Sequence, residues 1–99
     1  MPVTVTVQFT AKPGKRPDLL EFMKGVQAVA IEAGCHSIAV YADLEDENRA
    51  FEVEYWENQA AHQAFVKGAA EAGAFAPFDD LLAAPFVISY GEPFHKTDR

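Results

Sequence analysis

Val3, Val5, Val7 and Phe9 alternate with Thr4, Thr6, Gln8 and Thr10. Period two is the side-chain repeat of a β-strand, so this stretch has one apolar and one polar face, and the apolar face must be covered. The cover comes next in the chain. Lys12, Pro13 and Gly14 break the strand, and Pro17 with Asp18 suits a helix first turn, where a missing N–H costs nothing and an acid meets the dipole. Leu19, Phe22, Met23, Val26, Val29, Ala30 and Ala33 then recur at helical spacing, with Glu21, Lys24, Gln27 and Glu32 opposite, until Gly34 supplies a C-terminal stop.

The run from His36 to Ala42 is strand-like, residues 43–49 form a polar connection, and Ala50 to Trp56 returns as a second strand of a hairpin. Asn58 suits the N-cap of a helix through Lys67. Gly68, Gly73 and Pro77 interrupt the stretch after it, leaving a short helix from about Phe78 to Ala83, a last strand from Phe86 to Tyr90, and a tail whose Phe94 could touch a partner subunit. The order βαββαβ, with right-handed crossovers, predicts an α+β fold: a ferredoxin-like sandwich of one antiparallel sheet under two helices. Residues on both faces of the strands are apolar, Ile38 and Val40 on one side, Ala39 and Tyr41 on the other. Two sheets packed face to face would satisfy both.

The 99 residues make one domain, 1–99, with a core over about 3–92 and a tail over 93–99. Hydrophobic residues are 49% of the chain and twelve are Phe, Tyr or Trp, more apolar face than one small monomer hides. A homo-oligomer is the expected remedy. The formal net charge of −7 argues against nucleic acid or an anionic membrane as partner. A single cysteine, Cys35, cannot staple the fold, and no zinc-type spacing occurs, so a metal-free protein of a reducing compartment is expected. The alternating start is unlike a signal peptide, and no stretch is long enough to span a bilayer, so the expected location is cytoplasmic.

Three segments carry a family likeness: "KPGK" at Lys12 to Lys15, "EAGCHSI" at Glu32 to Ile38 and, most specific, "EYWENQAA" at Glu54 to Ala61 with its Glu-any-Trp signature. With the order and spacing of the elements, the chain resembles the antibiotic biosynthesis monooxygenase domain of the dimeric α+β barrel superfamily over about residues 3 to 92. That resemblance implies a homodimer whose two sheets form a barrel, with a mostly apolar pocket in each subunit. It also implies oxidation of a phenol or quinol by dioxygen without flavin, haem or metal, the protein deprotonating, orienting and drying an electron-rich substrate.

The match is partial at single positions. The family's polyketide oxygenases carry an asparagine four before the signature tryptophan and a tyrosine six after it; here those positions hold Glu52 and His62. Other members have a histidine nine after the tryptophan, where this chain has Phe65. The haem-degrading branch has one ten after it, where this chain has Val66, so haem degradation is not expected.

On this reading Trp56 and His62 are the candidate catalytic residues, the indole positioning a substrate oxygen and the imidazole, with an ordinary pKa of about 6.5, taking its proton. Glu52, Glu54 and Trp56 share one face of their strand. Glu54 is assigned to holding a backbone or indole donor, and Glu52 is either a substrate contact or a solvated strand acid. His36, Tyr41, Phe65, Phe75 and Phe78 are the further candidates for substrate binding, although His36 also suits a plain structural role and the aromatics suit any dimer core. Cys35, without a nearby base, reads as small buried filler. The expected activity is a cofactor-independent monooxygenase acting on a small aromatic substrate and dioxygen. The alternatives are a non-catalytic barrel that holds an apolar small molecule, and an isomerase or cyclase of the same superfamily.

Overall fold

The alternation at the start of the chain becomes the central strand. β1 is Val3–Thr10, with Val3, Val5, Val7 and Phe9 all buried and Thr6, Gln8 and Thr10 exposed. The structure is a computed structural model that describes residues 2–99. Met1, the first residue of the expected domain, lies outside the described residues. After β1 come α1 (Arg16–Glu32), β2 (Ser37–Ala42), β3 (Arg49–Trp56), α2 (Gln59–Glu71), α3 (Phe78–Leu81) and β4 (Val87–Gly91). The strands form one antiparallel sheet in the order β2-β3-β1-β4, the ferredoxin-like arrangement. No helix among the described residues is long and apolar enough to cross a membrane.

Register decides what meets what. Val5 pairs with Glu54 on one side and with Tyr90 on the other, while Ile38 pairs with Glu54. Ile38, Glu54, Val5 and Tyr90 therefore lie in one row across the sheet and point to the same face, because residues directly opposite in a ladder share a face. Val40, Glu52, Val7 and Ile88 make the next row. The helices cover this face. α1 lays Leu19, Met23 and Ala30 on it, and Phe9, Phe22, Phe75, Phe78 and Phe86 form an aromatic cluster at one end, with ring centroids 5.0–6.0 Å apart for the touching pairs.

Some boundaries differ from those the sequence predicts. α2 does not stop at Lys67 but runs through Gly68 to Glu71. One glycine inside a helix costs about 1 kcal/mol relative to alanine, which packing of the same face offsets; the helix ends just before Gly73, whose φ of 77° lies in the left-handed region that glycine favours. α3 stops at Leu81 rather than Ala83. Leu82 bridges to Ala11, and the Ala83 N–H donates to the Thr10 carbonyl at 2.8 Å, so both leave the helix to extend the edge of β1. The acidic connection between β2 and β3 is a turn and not an ion site: Asp43 accepts from the backbone N–H groups of Glu45 and Asp46, and Arg16 donates to the carbonyls of Asp43, Asp46 and Arg49. Phe94 is fully exposed in the single chain.

Asn58 begins α2 as expected, its side-chain oxygen accepting from the Ala61 N–H at 2.8 Å. Asn58→Ala should therefore cost about 1 kcal/mol of stability while Asn58→Ser costs little, seen as a lower urea midpoint for the alanine variant alone. Equal midpoints for all three proteins would mean that packing, not the cap, sets the start of this helix.

Candidate active site

β3 places Ala50, Glu52, Glu54 and Trp56 on the covered face of the sheet, and all four are buried. Two carboxylates on an inward face are unusual, since desolvating an ion costs several kcal/mol unless partners compensate. Glu54 has such partners. The Trp56 indole N–H donates to its Oε1 at 2.8 Å, and His62 Nε2 stands 3.6 Å from the same oxygen. Glu52 is in a different state: its Oε2 is buried with no hydrogen-bond partner among the described residues. Burial, then the negative charge of Glu54, then a hydrogen bond with the Glu54 side chain push the pKa of Glu52 up to about 8. At neutral pH it holds its proton.

His62 comes from the first turn and a half of α2 and lies over Val5, where it spans the gap between β3 and β4. Its Nδ1 is 2.8 Å from the Tyr90 hydroxyl, so the imidazole connects Glu54 to Tyr90 across the central strand. The ring is almost wholly buried. Burial lowers its pKa, opposed by the charge of Glu54, and leaves the imidazole neutral at physiological pH. Tyr90 is raised by burial and by Glu54 and keeps its proton. Trp56 and His62 meet edge to face with centroids 5.4 Å apart, and Phe65 packs on the same indole.

Beside this cluster is a cavity of about 30 Å³, lined by Glu52, Glu54 and His62 and otherwise by apolar side chains that include Val7, Met23, Ile38, Phe65, Phe75, Phe78 and Phe86. A space of that size holds one or two waters, whereas a benzene ring takes one on the order of 150 Å³. Phe65 and Phe75 also line a second apolar cleft, of about 220 Å³, between α1 and α2 where Gly25, Ala69 and Ala74 leave room.

The expected site residues divide accordingly. Glu52, His62, Phe65, Phe75 and Phe78 converge on the cavity. Trp56 is fully buried, but it does not line the cavity and its N–H is already engaged by Glu54, so the expected indole contact with a substrate oxygen is replaced by support of Glu54, His62 and Phe65. His36 is exposed, with Nε2 3.6 Å from a Glu57 carboxylate oxygen. Tyr41 lies on the uncovered face of the sheet, 47% exposed and stacked on Phe51. Neither reaches the cavity, because Tyr41 is of opposite parity to Ile38 and Val40 and His36 precedes the strand. Glu52 is not a solvated acid. Tyr90 is not among the expected site residues, although the alternation of Ile88 and Tyr90 against Val87 and Ser89 places it on the covered face. Cys35 is buried filler, its thiol 3.2 Å from the Ser37 carbonyl, and burial pushes its pKa up. Among the described residues no three His, Cys, Asp or Glu side chains gather where a metal ion would sit.

A βαββαβ sheet under helices, with a polar cluster at an apolar cavity between them, defines a ferredoxin-like α+β domain. The model of the Antibiotic biosynthesis monooxygenase family matches residues 2–76, and the chain belongs to that family. No curated protein matches it significantly. Among solved structures it is similar to a protein from Bordetella bronchiseptica described as a candidate antibiotic biosynthesis monooxygenase (TM-score 0.84, 19% identity, covering 95% of this chain and 98% of that one). It is also similar to a protein from Mycobacterium tuberculosis (0.77, 20%, 99% and 100%) and to one of unknown function from Nitrosomonas europaea (0.78, 21%, 99% and 94%). At these identities the likeness establishes the fold.

The shifted groups give a pH signature. Glu52 keeps its proton up to about pH 8 when folded but releases it around its ordinary 4.5 when unfolded, so the folded chain binds more protons in between and stability falls as pH rises. His62 acts the other way below 6.5, since unfolding lets a buried neutral imidazole protonate and stability there is lost as pH falls. Cys35 and Tyr90, raised from 9.0 and 10.0, act only at higher pH, and Asp43, lowered from 3.8 mainly by backbone N–H groups of its turn, acts only in acid. Between pH 6.5 and 8 the urea midpoint of the wild type should therefore decline, and Glu52→Gln should be flat. A flat wild-type curve would mean that Glu52 is already ionised in the fold.

Proposed function

We propose that this chain is a cofactor-independent monooxygenase that oxidises a quinol or polycyclic phenol with dioxygen. The observation that carries the reading is a buried carboxyl oxygen of Glu52 with no hydrogen-bond partner among the described residues, on a residue that lines an apolar cavity beside Glu54 and a neutral imidazole. A substrate hydroxyl would complete the hydrogen bonding of Glu52, and the flat apolar walls suit an aromatic ring. Transfer of the hydroxyl proton to the Glu52–Glu54 pair leaves a phenolate, which gives one electron to dioxygen. The two radicals couple at ring carbon, and the resulting hydroperoxide loses water to leave a quinone, so each turnover takes one dioxygen and releases one water. The protein's part is deprotonation, orientation and exclusion of bulk water. Substrate access needs side chains of the wall to move, since a space of about 30 Å³ does not hold a ring.

The test is oxygen uptake by the metal-stripped protein with a reduced naphthoquinol, after subtracting spontaneous autoxidation. Uptake above background that falls about a hundredfold in Glu52→Gln, and also falls in His62→Ala, is the expected result. No uptake, with a product of unchanged mass, would instead favour the isomerase reading, which the same paired acid and base could serve. No uptake and no product, with the naphthoquinol still bound, would leave the small-molecule binding reading.

The working form on this proposal is a homodimer. Phe51, Val53 and Tyr55 of β3, Tyr41 of β2 and Val87 of β4 lie on the sheet face that the helices leave open, and Tyr41, Tyr55 and Val87 are each close to half exposed or more. Pairing that face with a second copy removes this apolar surface from water. Light scattering at micromolar concentration should give twice the 10.9 kDa chain mass, and Phe51→Lys should shift it toward monomer. A wild-type mass of one chain would refute the dimer.

A further inference from the structure

We infer that Tyr90, His62 and Glu54 form a proton relay that connects the carboxyl of Glu52 at the cavity to solvent at the β4 edge of the sheet. The inference rests on the proposed reading that a substrate hydroxyl meets Glu52. The geometry has three links. Glu52 and Glu54 stand on one face of β3 and both line the cavity, and Oε2 of Glu52 has no hydrogen-bond partner among the described residues. His62 Nε2 lies 3.6 Å from Glu54 Oε1, and a shift of about 0.5 Å brings it to hydrogen-bond distance. His62 Nδ1 is 2.8 Å from the Tyr90 hydroxyl. Tyr90 in turn lines a surface groove with Asn58, Gln59 and Glu92, on the far side of β1 from Glu52.

Each group in the line can both accept and give a proton, which a relay requires. With the imidazole proton on Nδ1, the substrate's hydroxyl proton passes to Glu52 and its bonding pair stays on the substrate oxygen. The proton that Glu52 already held passes to Glu54 and from there to Nε2, the Nδ1 proton passes to the Tyr90 oxygen, and the Tyr90 proton passes to water in the groove. One proton enters, one leaves, and no electron moves. The imidazole is then left protonated on Nε2, the state from which the line runs inward and returns a proton when water leaves the hydroperoxide. Cys35 is the other titratable group close to the carboxyls, and its thiol is turned to backbone carbonyls rather than into the line. Trp56 donates to Glu54 but has no lone pair to accept with, so it anchors the line without being part of it.

The experiment uses Tyr90→Phe, which keeps the ring and removes the hydroxyl. Hydrogen exchange of the His62 ring N–H, followed by NMR, is read against the Trp56 indole N–H, which is buried in the same cluster but outside the line. The expected result is exchange at His62 slowed about tenfold or more with Trp56 unchanged, together with a fall in oxygen uptake. Unchanged exchange at His62, or a parallel change at both N–H groups, would overturn the relay, the latter meaning that the hydroxyl only tightens packing. The same measurement on Glu54→Gln, which keeps the side chain's size and takes the shared carboxylate out of the line, should slow His62 again; no slowing there would also overturn it. The exchange readout needs no substrate. If the wild type consumes no oxygen, the oxygenase reading fails while the relay is still decided, and if uptake is normal in Tyr90→Phe with unslowed exchange, only the relay fails.

Discussion

Two carboxyl groups side by side on the buried face of one strand set the terms for this site. Glu52 and Glu54 are both nearly inaccessible to water, and two adjacent ions there would repel each other without solvent to screen them. The fold resolves this by dividing the partners unequally. Glu54 receives the indole N–H and faces the imidazole; Glu52 receives neither and retains a proton. Trp56 on β3 and His62 on α2 both meet Glu54, and Tyr90 on β4 meets His62. An apolar cavity beside a neutral acid is what remains.

The fold was legible in the sequence because it depends on periodicity. The alternation from Val3 to Thr10, the apolar stripe of α1 and the Asn58 cap each act within a few residues, and each appears in the structure where the pattern puts it, except that Val29 and Ala33 at the end of the stripe are exposed. The departures are of a different kind. Gly68 is a helix breaker by propensity alone, and its inclusion in α2 depends on the neighbouring turns packing inward, as buried Ala69 does. Tyr41 and Phe51 belong to the same hairpin as Glu52, but which parity of that hairpin faces the helices is fixed only by pairing with β1, through Val7 opposite Glu52.

The candidate site was half legible for the same reason. Trp56 and His62 share a short stretch of chain, so their neighbourhood could be inferred; Tyr90 is 28 positions from His62 and arrives only through sheet order. The state of Glu52 was hidden more deeply. Nothing local distinguishes a strand glutamate in water from one under a helix, and here the difference changes the residue from a charged surface group to a neutral acid. The family match ends at residue 76, before β4 begins, so the part of the chain that supplies Tyr90 lies outside it.

The two departures from the family pattern make sense together. Where the resemblance leads one to expect an asparagine and a tyrosine, this chain has Glu52 and His62, two groups of a kind that can gain or lose a proton where an amide stays a fixed dipole. A phenolic hydroxyl is still present, but it is now Tyr90, brought to His62 from the other side of β1. Either substitution alone would be costly: Glu52 without a neighbouring network would be a buried acid with no route for its proton, and His62 without Tyr90 and Glu54 would leave two ring nitrogens unsatisfied in an apolar interior. Joined, they place two groups able to give and take a proton on the wall of an otherwise apolar cavity.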